Sequence, residues 1–163
     1  KVKLETYVQI SYFEQVIEKA NTKLFEMTEG QYEFIRDISS EDKRTKSGLD
    51  LSVYDHYNGT IRSVRTLSGG EGFMAALSLA LGMADIIEES ASGISIDTMF
   101  IDEGFGSLDE MALEQAMKVL AKLSEGNKLV GIISHVSSLK DRIEKQINVE
   151  KKISGGSSVK VVV

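Results

Sequence analysis

Two neighbouring acids, Asp102 and Glu103, close a short apolar run, Thr98-Met99-Phe100-Ile101. A continuous apolar run of that length predicts a central parallel strand, and the carboxyl edge of such strands is where open α/β folds bind ligands. One carboxylate at that edge can hold Mg2+, largely through water. The next can orient or deprotonate an attacking water. Two solvated acids ahead of a turn fit the same pattern. His135 closes a second apolar run, Leu129-Val130-Gly131-Ile132-Ile133-Ser134. Pairing of the two strands could bring it beside the acids, though a lone histidine is more often structural.

Two further stretches could bind an anion. Ser68-Gly69-Gly70-Glu71 precedes an apolar pattern of helical period. A helix N-terminus carries partial positive charge and unpaired N–H groups, and glycines let backbone approach a phosphate closely. Ser68 can bond a phosphate oxygen or simply cap the helix. Ser107-Leu108-Asp109 follows the Gly104-Phe105-Gly106 turn. Alone it reads as another helix start, with Ser107 or Asp109 as cap.

The elements that must position these residues follow from periodicity. Residues 1 to about 27 predict a helix, with Val2, Tyr7, Ile10, Phe13, Val16, Ile17, Ala20 and Leu24 at three- and four-residue steps and Glu29-Gly30 closing it. It reads either as an ordinary amphipathic helix or as the root of a coiled coil. Residues 31–37 predict a strand. A second runs from Leu49 through Val53 to an Asn58-Gly59 hairpin whose two turn positions both call for positive φ, and a third returns from Ile61 to Thr66. Ser39 to Lys46 is a polar loop whose Lys43, Arg44 and Lys46 read as solvated or as facing DNA. Phe73, Ala76, Leu77, Ala80, Leu81, Ala84 and Ile87 predict a largely buried helix after the glycines. A helix over 109–123 ends at Gly126-Asn127 and presents Leu113, Ala116, Met117 and Leu120. A second buried strand, a short helix through Ile143, and a hairpin of residues 146–151 and 159–163 complete the chain. Strand, helix and strand in the second half predict a βαβ core, hence an α/β fold: a mostly parallel sheet flanked by helices, with antiparallel hairpins at its edges.

Composition narrows the classes. The net charge of -6 argues against a basic nucleic-acid module, so DNA contact would need a local patch or another part of the protein. Cysteine is absent, which excludes disulfides and thiolate metal sites in these residues and fits a reducing cytoplasm. His56 and His135 are far apart, which leaves no structural zinc pattern. No apolar run approaches the roughly 20 residues of a membrane span, and the spaced apolar residues of the start are unlike a signal peptide. The chain opens on Lys1, as a piece of a longer protein would.

Taken in order, LSGGE, MFIDE, SLD and ISH resemble the signature motif, Walker B motif, D-loop and switch-histidine loop of the C-terminal lobe of ABC ATPases. TLSGGEGFMAALSLALGMADII, IDTMFIDEGFGSLDEMAL and GIISHVSSLKDRI are similar to the SbcC family of SMC-like DNA-repair ATPases. Glu71 replaces the glutamine common at that position in transporters. No G-x-x-x-x-G-K-[ST] loop is present, so this stretch carries half of a nucleotide site.

The resemblance implies residues 1–28 as the foot of a returning coiled coil and 29–163 as the ATPase lobe. It implies that Ser68, Gly69, Gly70 and Glu71 meet ATP held by an opposite head. Asp102 would help to hold Mg2+, Glu103 would activate water, Ser107 and Asp109 would communicate across the dimer, and His135 would sense the γ-phosphate. The implied partners are the N-terminal lobe of the same polypeptide, a second head, an SbcD-type phosphoesterase nuclease and DNA, in the bacterial cytoplasm beside the nucleoid. An SMC-type chromosome ATPase without a nuclease partner, or a transporter subunit, is the alternative.

Overall fold

The longest element, α1 (Leu4–Met27), lies against α2 (Gly69–Ser90), and the two backbones nearly touch. A Cβ added at Gly82 would lie 2.7 Å from the Ala20 nitrogen and 2.8 Å from the Val16 carbonyl oxygen. One turn earlier Ser78 is fully buried, its Oγ donating to the Met74 carbonyl at 2.8 Å. The core face of α2 is therefore centred on Met74, Leu77, Ser78, Leu81 and Gly82. Ala76, Ala80 and Ile87 of the expected stripe are exposed instead. Counting apolar residues alone misplaces the stripe, because Gly82 makes the close contact with α1 and Ser78 is buried one turn before it on the same face. These positions come from a computed structural model, which describes residues 4–36, 49–91, 95–125, 128–153 and 155–163. The basic loop around Lys43 and the Gly126-Asn127 helix end lie outside the described residues.

Helix α1 buries Ile17, Ala20, Leu24 and Met27 on its second half, whereas Leu4, Tyr7, Val8 and Tyr12 on its first half are exposed. It stops where expected. Glu29 and Gly30 both take positive φ, 51° and 83°, and the Gly30 N–H donates to the Phe25 carbonyl at 2.8 Å.

Strands β1 (Tyr32–Arg36), β2 (Leu51–Asp55) and β3 (Thr60–Ser63) form an antiparallel sheet in that order. The β2–β3 turn differs from the expected Asn-Gly type. Asp55 pairs with Thr60, four residues lie between them, and of Asn58 and Gly59 only Gly59 takes positive φ. The cause is Asp55, which is buried and accepts hydrogen bonds from Tyr57 N–H and Asn58 Nδ2 at 3.0 Å each. A short 3-10 turn, Val64–Thr66, then leads into α2.

The βαβ core is β4 (Thr98–Asp102), α3 (Glu110–Glu125) and β5 (Leu129–Ile133), with the strands paired in parallel so that Asp102 sits opposite Ile133. Helix α3 buries Leu113, Ala116, Val119 and Leu120. One turn of helix, α4 (Ser137–Lys140), precedes a hairpin of β6 (Gln146–Lys151) and β7 (Ser157–Val162). The α/β class stands. Among the described residues, however, only β4 and β5 are parallel, and the antiparallel strands form two sheets of their own rather than edges of one. A short turn joins strands as antiparallel neighbours, as in β2–β3 and β6–β7, whereas the α3 crossover is long enough to return the chain parallel and pair β5 with β4.

Strands β4 and β5 are also less buried than their apolar runs predict. Met99, Ile101, Val130 and Ile132 pack on the core. Phe100, Leu129 and Ile133 are 68%, 63% and 54% exposed, so the strands are apolar on both faces and covered on one.

Candidate nucleotide site

Parallel pairing brings His135 to Glu103. The strands end level, the Glu103 N–H donates to the Ile133 carbonyl at 2.9 Å, and His135 Nδ1 lies 3.0 Å from Glu103 Oε2. Glu103 itself adopts φ 59°, a left-handed conformation that is costly for a residue with a Cβ, and Gly104 follows at 93°. The chain thus turns sharply at the sheet edge. Asp102, Glu103 and His135 are all exposed there.

That turn is held from behind by α2. A Cβ on Gly104 would collide with the ring of Phe73, and Phe73 also stacks at 4.8 Å on Phe105, the largest fully buried side chain described. The turn closes when Ser107 Oγ donates to the Gly104 carbonyl at 2.8 Å. Of the two possible caps for α3, the structure selects Asp109, whose Oδ1 accepts the Ala112 N–H at 2.8 Å.

The remaining candidates line a single cleft of about 380 Å³, formed by Ser68, Gly69, Gly70, Glu71, Ser107 and Asp109 with Thr28, Gln31, Tyr32, Met74 and Ala112. Asp102, Glu103 and His135 are not among its walls, so the site residues fall into two clusters either side of the 104–107 turn. The glycines have a purely structural reason to be small. A Cβ on Gly69 would lie 3.3 Å from Ser107 Cβ, and one on Gly70 would lie 3.0 Å from the Ser107 carbonyl oxygen.

Ser68 caps α2 in a capping box. Its Oγ accepts the Glu71 N–H at 3.4 Å, and Glu71 Oε2 accepts the Ser68 N–H at 2.7 Å. Glu71 Oε1 accepts the Tyr32 hydroxyl at 2.5 Å, and Arg62 Nη2 donates to that hydroxyl at 2.8 Å. Burial disfavours ionisation of Glu71, but hydrogen bonds from Tyr32 and Ser68 and the charge of Arg62 outweigh it and hold the carboxyl below its usual range. Burial, with the hydrogen bond to Glu71, pushes the Tyr32 phenol up to about 12. Tyr32 and Arg62 belong to no motif visible in the sequence, and isolated residues on two strands leave no spacing signal.

Comparison with known proteins shows the family and the fold. The family described as SbcC/RAD50-like, Walker B motif, matches residues 39–122, just over half of the chain. The chain is 42% identical to the SbcC subunit of the nuclease SbcCD from Lactococcus lactis over 164 aligned residues, covering 100% of the chain and 16% of that protein. It is 45% identical to the corresponding SbcCD nuclease protein of Treponema pallidum, covering 98% of the chain and 15% of the relative. The chain therefore spans about one-sixth of the length of these relatives. Among solved structures, a chain from a study of ATP-driven dimerization and DNA-stimulated activation of SMC ATPases superposes with a TM-score of 0.73 at 16% identity, covering 97% of this chain and 89% of that one. The SMC head domain from Thermotoga maritima superposes at 0.63 and 17% identity, covering 98% and 51% respectively. At such identities the superpositions establish the fold alone.

Proposed function

Because this chain belongs to the SbcC/RAD50-like family, we propose that it forms the C-terminal lobe of an SbcC-type ATPase head, with α1 as the foot of its coiled coil. The observation that carries this reading is the pairing of Glu103 with His135 at 3.0 Å, at the ends of adjacent parallel strands and on a strained turn. In that role Glu103 accepts a proton from an attacking water. His135 orients the Glu103 carboxylate through Nδ1 and keeps Nε2 for the γ-phosphate.

Asp102 fits a Mg2+ that arrives with the nucleotide. The described residues hold no cluster of three metal-binding side chains, and Mg2+ characteristically takes one or two carboxylates together with phosphate oxygens and water. When bound, such an ion would offset phosphate charge, with Asp102 supplying one carboxylate to hold it. Ser68, Gly69 and Gly70 meet the nucleotide of a second head through the α2 N-terminus, with Ser107 and Asp109 beside them relaying contact across the dimer.

The two-cluster layout supports this division, since one lobe offers separate faces to two nucleotides. The bare apolar face of Phe100, Leu129 and Ile133 supports an N-terminal lobe covering β4 and β5. The curated relatives support an SbcC-type protein rather than an SMC-type one. Its work would be ATP-gated processing of DNA ends and hairpins in DNA repair and recombination, with an SbcD-type nuclease in the cytoplasm. Without a phosphate loop, this stretch alone turns over no ATP.

Ser68→Arg in the full-length polypeptide tests the composite site. Nucleotide binding by a single head should survive, while ATP-driven dimerisation, followed by light scattering, should fail. Loss of single-head binding, or normal dimerisation, contradicts the reading.

A further inference from the structure

Four residues from three elements form one hydrogen-bonded chain: Arg62, Tyr32, Glu71 and Ser68. Glu71 divides its carboxylate, giving Oε2 to the Ser68 N–H at 2.7 Å and Oε1 to the Tyr32 hydroxyl at 2.5 Å. Arg62 Nη2 donates to the same hydroxyl at 2.8 Å and lies 3.4 Å from Glu71 Oε1. Its Nη1 is fixed on the Thr66 carbonyl at 3.0 Å, and the guanidinium lies 5.1 Å from the Tyr32 ring centre. Tyr32 is 3% exposed, so packing fixes its ring.

This chain bears on anion binding. A carboxylate in the first turn of α2 would repel a phosphate arriving at the same N-terminus. Here Arg62 offsets that charge, and both carboxylate oxygens are engaged within the protein. Ser68 Oγ accepts only a long bond, 3.4 Å from the Glu71 nitrogen, which holds the hydroxyl at the start of α2.

We propose that Tyr32 and Arg62 are positioning residues for the Ser68–Gly70 turn, locking Glu71 in the capping box so that Ser68 and the α2 N–H groups face an incoming γ-phosphate already ordered. This rests on the composite-site reading above. It ties the turn to the antiparallel sheet, so a shift of β1 or β3 would reach Ser68 through two hydrogen bonds.

The test uses the full-length polypeptide with Tyr32→Phe, which keeps the ring, and separately Arg62→Ala. Light scattering against ATP concentration reads dimerisation, a fluorescent nucleotide reads single-head affinity, and turnover is followed across protein concentrations. Each variant should need about tenfold more protein to dimerise with ATP, the effect of losing one charge-assisted hydrogen bond. Single-head affinity should stay at the wild-type value, and turnover should recover as protein concentration rises. Wild-type dimerisation in both variants overturns the proposal. So does a loss of turnover that persists at concentrations where the variant is fully dimeric, since the defect then lies outside dimerisation. Ser68→Arg run alongside separates the two claims. If it too dimerises normally, the composite site has failed; if it alone is defective, only the positioning role has.

Discussion

The ring of Phe73, on the helix that begins at Ser68, fills the space that a side chain on Gly104 would need, directly behind Glu103. Helix α2 and the acidic strand end are therefore one mechanical unit. Gly104→Ala should show this. The substitution places a Cβ at φ 93°, costing about 1–2 kcal/mol, and drives it into Phe73, costing about 1–3 kcal/mol more. Urea unfolding should give a lower midpoint. Adding Phe73→Leu should recover part of the loss, and a purely additive double mutant would disprove the contact.

Gly82 gives a second stability prediction. Alanine normally improves a helix interior by about 1 kcal/mol over glycine. Here its Cβ would meet α1 backbone atoms at 2.7 and 2.8 Å, so α1 must move away from α2. Overpacking of about 1–3 kcal/mol should win, and Gly82→Ala should lower the unfolding midpoint. A stabilised variant would mean that the helices do not cross so closely.

The strand ends are readable because their chemistry is local: an apolar run followed by Asp102-Glu103, and another followed by Ser134-His135, predict both elements and the edge they share. Periodicity likewise locates α3 through Leu113, Ala116 and Leu120. It misplaces the buried face of α2, where Gly82 packs on α1, Ser78 is buried, and neither scores as apolar. A glycine amid good helix formers is the available signal of close packing. The Asn58-Gly59 turn departs from its dipeptide because the Asp55 side chain organises it. The exposure of Phe100 is not legible because an apolar run says that a face can be covered, not that this chain covers it. Tyr32 is invisible because Glu71 lies far along the chain, and Arg62 because it sits on a separate strand, outside any motif.

Tyr32 makes stability depend on alkaline pH. Its phenol is raised from 10.0 in the unfolded chain to about 12 in the folded one, so the native state holds the proton more tightly. The resulting stabilisation is complete below pH 10 and is lost as pH rises towards 12. The stability gap between the wild type and Tyr32→Phe should therefore narrow over that interval. A gap that stays constant would show that burial and the bond to Glu71 do not hold the phenol protonated.

In the proposed function, Glu103 is the base of an ATP hydrolysis site completed by other parts of the protein. Glutamine keeps its size and its hydrogen bonds but accepts no proton at neutral pH. In the full-length polypeptide, Glu103→Gln should bind ATP as the wild type does, accumulate closed dimers, and lose about two to four orders of magnitude in turnover. Asp102→Asn should instead raise the Mg2+ concentration needed for half-maximal turnover, because it removes charge next to the metal. The decisive measurement is steady-state ATP turnover of Glu103→Gln with dimerisation followed in parallel. Trapped, inactive dimers are the predicted result, and turnover near the wild-type rate would contradict it.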